Sequence, residues 1–131
     1  MNFEQRCTIP VARAALWDFL MDVPQVAACV PGAEAVTPRD DGQYAGQMRV
    51  KVGPVSLTLQ GTMAIQERDR QNWQAALQAE ANDRRVGGGV HVTGEMTLMA
   101  SGPTETELLI RAEARLLGKL AEFGQPVIRR Q

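Results

Sequence analysis

The sequence is poor in histidine and cysteine, the residues from which zinc sites, dithiol centres and many nucleophilic sites are assembled. His91 is its one histidine, and its two cysteines, Cys7 and Cys29, are not spaced as a CxxC pair. That leaves no zinc pattern and no dithiol motif, and two free, partly buried thiols are the plain reading. A formal net charge of −1 over 131 residues gives a nucleic-acid partner no electrostatic support. No apolar run approaches the ~20 residues that a membrane-spanning helix needs. The start, Met1-Asn2-Phe3-Glu4, lacks the basic and apolar stretches of a signal peptide, so a cytoplasmic location is expected. The length suits one domain, residues 1–131, and the 44% hydrophobic and 22% charged content is that of a soluble globular protein.

What is present is alternation. Phe3, Gln5, Cys7 and Ile9 share one face of a first strand that Pro10 ends. Ala12, Ala15, Leu16, Phe19 and Leu20 follow helical spacing, which predicts a short helix over 11–21. Asp22 then caps a second short helix that has Pro24 in its first turn and stops near Cys29, before Pro31-Gly32. From there to about Leu116 the period is two. Tyr44, Gly46, Met48, Val50 and Val52 are assigned inward, followed after Gly53-Pro54 by Val55, Leu57, Leu59, Gly61, Met63 and Ile65. Later strands place Trp73, Ala75, Leu77, Ala79 and Ala81 inward, then, after a polar and glycine-rich connection from Asn82 to Gly89, Val90, Val92, Gly94, Met96, Leu98 and Ala100, then Leu108, Ile110, Ala112 and Ala114. Short turns join these strands, so the sheet is antiparallel with one polar face. Leu116, Leu120, Phe123 and Val127, spaced four, three and four, predict a C-terminal helix from about 116 that covers the apolar face. Gly124 and Pro126 weaken its second half.

The inward face has no Asp, Glu, Lys or Arg between Tyr44 and Ala100, so paired carboxylates for acid–base chemistry must lie elsewhere. Its small residues, Gly46, Gly61, Ala75, Ala79, Gly94 and Ala112, either leave room for an apolar ligand or let the sheet bend and the helix approach. Met48, Met63 and Met96 face inward as adaptable filling, and Met99 faces out. His91 faces out as a surface histidine, and neither Ser56 nor Ser101 has the spacing of a catalytic triad with it. Val86-Gly87-Gly88-Gly89-Val90 lacks the Lys-Ser/Thr of a phosphate loop and runs into a strand. Arg84-Arg85 and Arg129-Arg130 are either solvated charge or contacts for anionic lipid or an acidic protein.

Four stretches together resemble one family. They are Leu16-Trp17-Asp18-Phe19-Leu20; Cys29-Val30-Pro31-Gly32-Ala33-Glu34; Val50-Lys51-Val52-Gly53-Pro54-Val55 running on to Gln60-Gly61-Thr62-Met63; and Leu117-Gly118-Lys119-Leu120-Ala121-Glu122-Phe123-Gly124. Their order and spacing resemble the CoxG family of carbon monoxide dehydrogenase subunits, a branch of the START-like (SRPBCC) helix-grip proteins. The resemblance implies an α+β fold: a curved antiparallel sheet of about six to seven strands wrapped round a C-terminal helix, with two short helices after the first strand. It also implies a non-catalytic accessory protein of a molybdenum-containing dehydrogenase of the carbon monoxide dehydrogenase type. Such a protein attaches the enzyme to the cytoplasmic face of the inner membrane or carries its lipid quinone, with no covalent cofactor. Family members usually extend the last helix into a linker and a tail. A chain ending at Gln131 is therefore expected to cover its cavity incompletely, and a homodimer to close it.

The expected cavity lining is Met48, Val50, Leu57, Leu59, Met63, Leu77, Val92, Met96, Leu98, Leu108 and Ile110, under Leu120 and Phe123. A polyketide cyclase or hydratase-like enzyme of the same fold is the alternative, with Tyr44, Gln5 and Cys7 as its inward polar groups. A structural adaptor with a filled core is the third reading.

Overall fold

Alternating side chains build every strand of the sheet except β2. The computed structural model describes residues 1–119 and 121, and in it the first alternating segment is β1 (Asn2–Ile9). The chain turns at Pro10 into α1 (Arg13–Met21). There Leu16 and Trp17, adjacent in sequence, are both buried against the sheet. Asp22 ends α1 and starts α2 (Val23–Ala27): its carboxylate accepts the Gln25 backbone N–H at 3.4 Å, and Pro24 occupies the first turn, where no donor is needed.

Six strands follow: β2 (Ala33–Pro38), β3 (Tyr44–Val52), β4 (Val55–Asp69), β5 (Gln74–Asp83), β6 (Gly88–Gly102) and β7 (Glu105–Gly118). With β1 they form one curved, seven-stranded antiparallel sheet in the order β1-β7-β6-β5-β4-β3-β2. β1 pairs with β7 across the whole chain (Cys7 opposite Leu108), which places both ends of the strand run side by side. This is the α+β helix-grip architecture expected from the sequence.

The register keeps one parity on one face through the long strands. Tyr44 lies opposite Met63, Met48 opposite Leu59 and Val50 opposite Leu57; further along, Ile65 is opposite Leu77, Ala79 opposite Val92 and Met96 opposite Ile110. At one end of this face α1 closes a core in which Leu16 and Trp17 pack with Ala75, Leu98 and Leu108. Leu98 is 1% exposed there. Trp73 joins the same core from the β4–β5 turn, edge-on to Trp17 with ring centroids 6.0 Å apart. Arg13 and Arg70 lie over the Trp73 ring at 4.3 and 3.9 Å. The fully buried Thr106 hydroxyl donates to the Val11 carbonyl at 2.7 Å and pins the corner between β1 and α1. A smaller core of Leu57 and Leu59, with Met48, Val50, Ala81, Val86 and Val90, occupies the other end.

Three sequence expectations change. β2 carries no alternation because its register shifts between Glu34 and Thr37 and Ala35 takes φ 53°, so its side chains do not keep one parity. The connection expected over Asn82–Gly89 contracts to a tight turn, since β5 runs to Asp83 and β6 starts at Gly88. The helix expected from about 116 starts later: Leu116 and Leu117 are strand residues opposite Val90 and Gly89, and Lys119 is helical. The long β6 offers ladder partners up to Gly118, and those hydrogen bonds outweigh the helical spacing that begins at Leu116. Leu120, Phe123, Gly124, Pro126 and Val127 lie outside the described residues.

Candidate functional site

The short helix α2 is too small to fill the space beneath it. Val23, Val26, Ala27 and Val30 form a roof on one side. Ala33 and Val36 of β2, Tyr44, Gly46 and Met48 of β3, Leu59, Gly61 and Met63 of β4, and Ala79 and Ala81 of β5 form the floor. Between them is an apolar pocket of about 310 Å³, bordered from the other face of the strands by Gln47, Thr62 and Glu80. The phenol of Tyr44 is the polar group that its register parity brings to the floor.

The small residues do not all serve one purpose. A Cβ on Gly61 would overlap the Glu80 carbonyl of the neighbouring strand, so glycine is required there for β4 and β5 to approach. At Gly46 an added Cβ would meet Val36 Cγ2 at 3.0 Å, a tight fit against the pocket wall. At Gly94 it would rest at 3.5 Å from Leu77, an ordinary contact, so the backbone does not demand glycine there. The missing side chain simply leaves room beside Leu77.

The structure divides the expected lining among three places. Met48, Leu59 and Met63 line the pocket under α2, and Val50 and Leu57 adjoin it in the smaller core. Met96, Leu98 and Leu108 belong to the core beneath α1, where side chains already fill the space. Leu77, Val92 and Ile110 lie between these regions. There Phe3, Leu77 and Ile110 remain 49, 36 and 39% exposed, although their parity turns them to the apolar face. Leu120 and Phe123 are outside the described residues. Sequence reasoning missed the α2 side chains and Val36. The one available signal was the valine spacing of Val23, Val26 and Val30, which sets an apolar stripe on a helix of only five residues and the turn after it.

Charge is kept off this face. Among the described residues, the two carboxylates held below the ordinary carboxylate range sit at strand ends, Asp69 closing β4 and Asp83 closing β5. Asp69 is stabilised first by the Asn72 side-chain amide at 2.8 Å and then by the Asn72 backbone N–H. Asp83 accepts the backbone N–H groups of Thr58 (3.0 Å), Val86 (3.1 Å) and Arg85 (2.8 Å), with the Arg85 charge adding to them. His91, on the opposite face, approaches Glu80 at 3.6 Å. Cys7 is half-buried under α1 and Cys29 is exposed at the end of α2, both as free thiols. Among the described residues no three His, Cys, Asp or Glu side chains converge on a metal-sized site. No described helix is long and apolar enough to cross a membrane.

Comparison with known proteins agrees with this architecture. The model of the CoxG family, described as a carbon monoxide dehydrogenase subunit, matches residues 6–131. A conserved protein from Geobacillus kaustophilus superposes with a TM-score of 0.84 at 17% identity, covering 98% of this chain and 83% of that one. The Zhui aromatase/cyclase from Streptomyces sp. R1128 gives 0.65 at 16% identity (99% and 85% covered). Norcoclaurine synthase from Thalictrum flavum gives 0.67 at 11% identity (97% and 82% covered). At these identities the structural likenesses show the fold alone. No curated protein sequence matches the chain.

Proposed function

The chain belongs to the CoxG family of carbon monoxide dehydrogenase subunits, and from that premise we propose that it holds an apolar molecule, a quinone or another lipid, on the inner face of its sheet. In this reading it is a non-catalytic accessory to a molybdenum-containing oxidoreductase of the carbon monoxide dehydrogenase type and serves that enzyme's membrane attachment, peripherally on the cytoplasmic face. A second copy of the chain closes the face as a homodimer. The observation that carries the reading is the pocket under α2: about 310 Å³ with aliphatic walls and a single phenol. That volume is at the lower end of small-molecule sites, which run from ~300 Å³ upward, and suits a ring or a length of acyl chain. Phe3, Leu77 and Ile110 extend the apolar surface beyond it, where a longer tail can lie.

Native mass spectrometry of freshly purified protein tests the reading. Retention or uptake of an apolar molecule is expected, and Ala81→Leu, which fills the pocket floor, should abolish it. A protein that never takes up quinone or lipid would sink the carrier role. Co-purification with molybdenum hydroxylase subunits tests the partner.

The enzyme reading has one observation on its side: the fold is shared with an aromatase/cyclase and a norcoclaurine synthase, and Tyr44 brings a hydroxyl to the pocket. Tyr44→Phe removes only that hydroxyl. Turnover of a polyketide-like substrate that survives the change would strip Tyr44 of a catalytic role.

A further inference from the structure

Among the described residues the sheet has two edges, and they are built differently. At one, β2 is short, shifts its register between Glu34 and Thr37, holds Ala35 at φ 53° and ends on Pro38. Such features keep an edge from pairing with another strand. At the other, β1 runs unbroken from Asn2 to Ile9, opposite β7 at every position and free of proline, glycine and lysine. Met1 and Ala114 exchange both backbone hydrogen bonds, at 2.7 and 2.8 Å. In an antiparallel ladder such pairs alternate with pairs that do not bond. Phe3, Gln5, Cys7 and Ile9 therefore bond to β7, and the N–H and carbonyl groups of Asn2, Glu4, Arg6 and Thr8 point out from the edge.

We propose that this edge is a homodimer interface, at which β1 of a second copy adds antiparallel about a two-fold axis at Gln5. In that register Asn2 faces the second copy's Thr8 and Glu4 faces the second copy's Arg6, so every outward residue meets an outward residue. A slip of one residue sets outward groups against inward ones. A slip of two sets Glu4 against its own copy, or Arg6 against its own, and like charges directly opposite repel. The proposed register alone matches both the backbone and the charges. It also continues a pattern on the outer face. Glu95, Arg111 and Glu4 lie opposite one another across β6, β7 and β1, with Arg111 Nε 3.5 Å from Glu4, and the second copy's Arg6 extends the alternation. On the inner face Gln5 meets the second copy's Gln5, where the two amides can bond reciprocally. Phe3, 49% exposed, lies against the second copy's Cys7. The pairing deepens the two-copy part of the carrier reading by naming the edge, and it needs no bound ligand.

Sedimentation velocity of the full chain across a concentration series should show a monomer–dimer equilibrium. Glu4→Arg and Arg6→Glu each place like charges across the joint and should weaken the dimer at least about tenfold. An equimolar mixture of the two variants should dimerise again, because opposite charges then meet at both contacts. Circular dichroism checks that each variant folds. Cross-linking reads the register, with Cys7→Ser and Cys29→Ser as background. Gln5→Cys should oxidise to a covalent dimer, since facing non-bonded pairs bring their Cα atoms to about 4.5 Å, within disulfide reach. Asn2→Cys should not, because the two copies of residue 2 lie about 20 Å apart. A chain that is monomeric at every concentration overturns the proposal. So does a dimer indifferent to both charge changes, a mixture that stays monomeric, or cross-linking through Asn2→Cys in place of Gln5→Cys. Native mass spectrometry of the same samples keeps the two readings apart. An edge dimer that never takes up an apolar molecule removes the carrier alone, and a monomer that retains one removes the edge alone.

Discussion

Asp83 joins two strands through a single carboxylate. One oxygen takes the Thr58 N–H of β4, and the other takes the Arg85 and Val86 N–H groups of the next turn. These donors stabilise the charged form and depress its pKa below the ordinary value of 3.8. A group depressed on folding contributes stability that is fully present above its unfolded value and is lost as pH falls through its folded value. The wild-type melting temperature is therefore expected to drop below about pH 4. Asp83→Asn should melt lower at neutral pH and show a flatter acid decline, as followed by circular dichroism. A parallel decline in both proteins would remove Asp83 as the source. Leu98 gives a second prediction at this scale. It is almost fully buried between β5, β7 and α1, so Leu98→Ala should cost about 2–5 kcal/mol, read as a lower urea midpoint with an unchanged slope.

At the scale of elements, α1 is held by what it buries, because its N-cap position, Ala12, makes no side-chain cap hydrogen bond. Trp17→Ala removes most of that anchorage and the edge contact with Trp73, with an expected loss of about 3–5 kcal/mol. Trp17→Phe keeps an aromatic edge and should cost clearly less. Equal losses for the two would mean that the ring contact contributes little. Helix α1 and the five long strands were legible in the sequence, because each writes its own period into neighbouring residues. β2 was not. A bulge and a positive φ at Ala35 break its period, and it is a strand because β3 lies beside it. The end of β7 was misread for a related reason, since Leu116 and Leu117 have helical spacing but the partner strand decides.

At the scale of the molecule, the sheet has more apolar surface than its described helices cover. A bound ligand is therefore expected to act as missing core. At a hundredfold excess over its dissociation constant it should add about 2.7 kcal/mol. For a chain of this length that is roughly 10 °C in melting temperature. A quinone analogue or lipid that binds without raising the melting temperature would have to bind the unfolded chain as well as the folded one, which would remove the folded cavity as its site.

The parity of each long strand, and with it the membership of the inner face, follows from the sequence alone. A strand alternates its side chains by geometry, and a one-residue slip would turn Met48, Leu59 and Met63 to water. The absence of charge from that face follows in the same way. Which part of the face is filled and which left open was decided only by tertiary structure. Leu98 and Leu59 have the same pattern in the sequence, yet one packs under α1 and the other under a pocket. The difference lies in where two short helices come to rest. That depends on long-range contacts such as the Arg49 N–H to the Gly32 carbonyl (2.9 Å) and Thr106 to Val11, which no local period records.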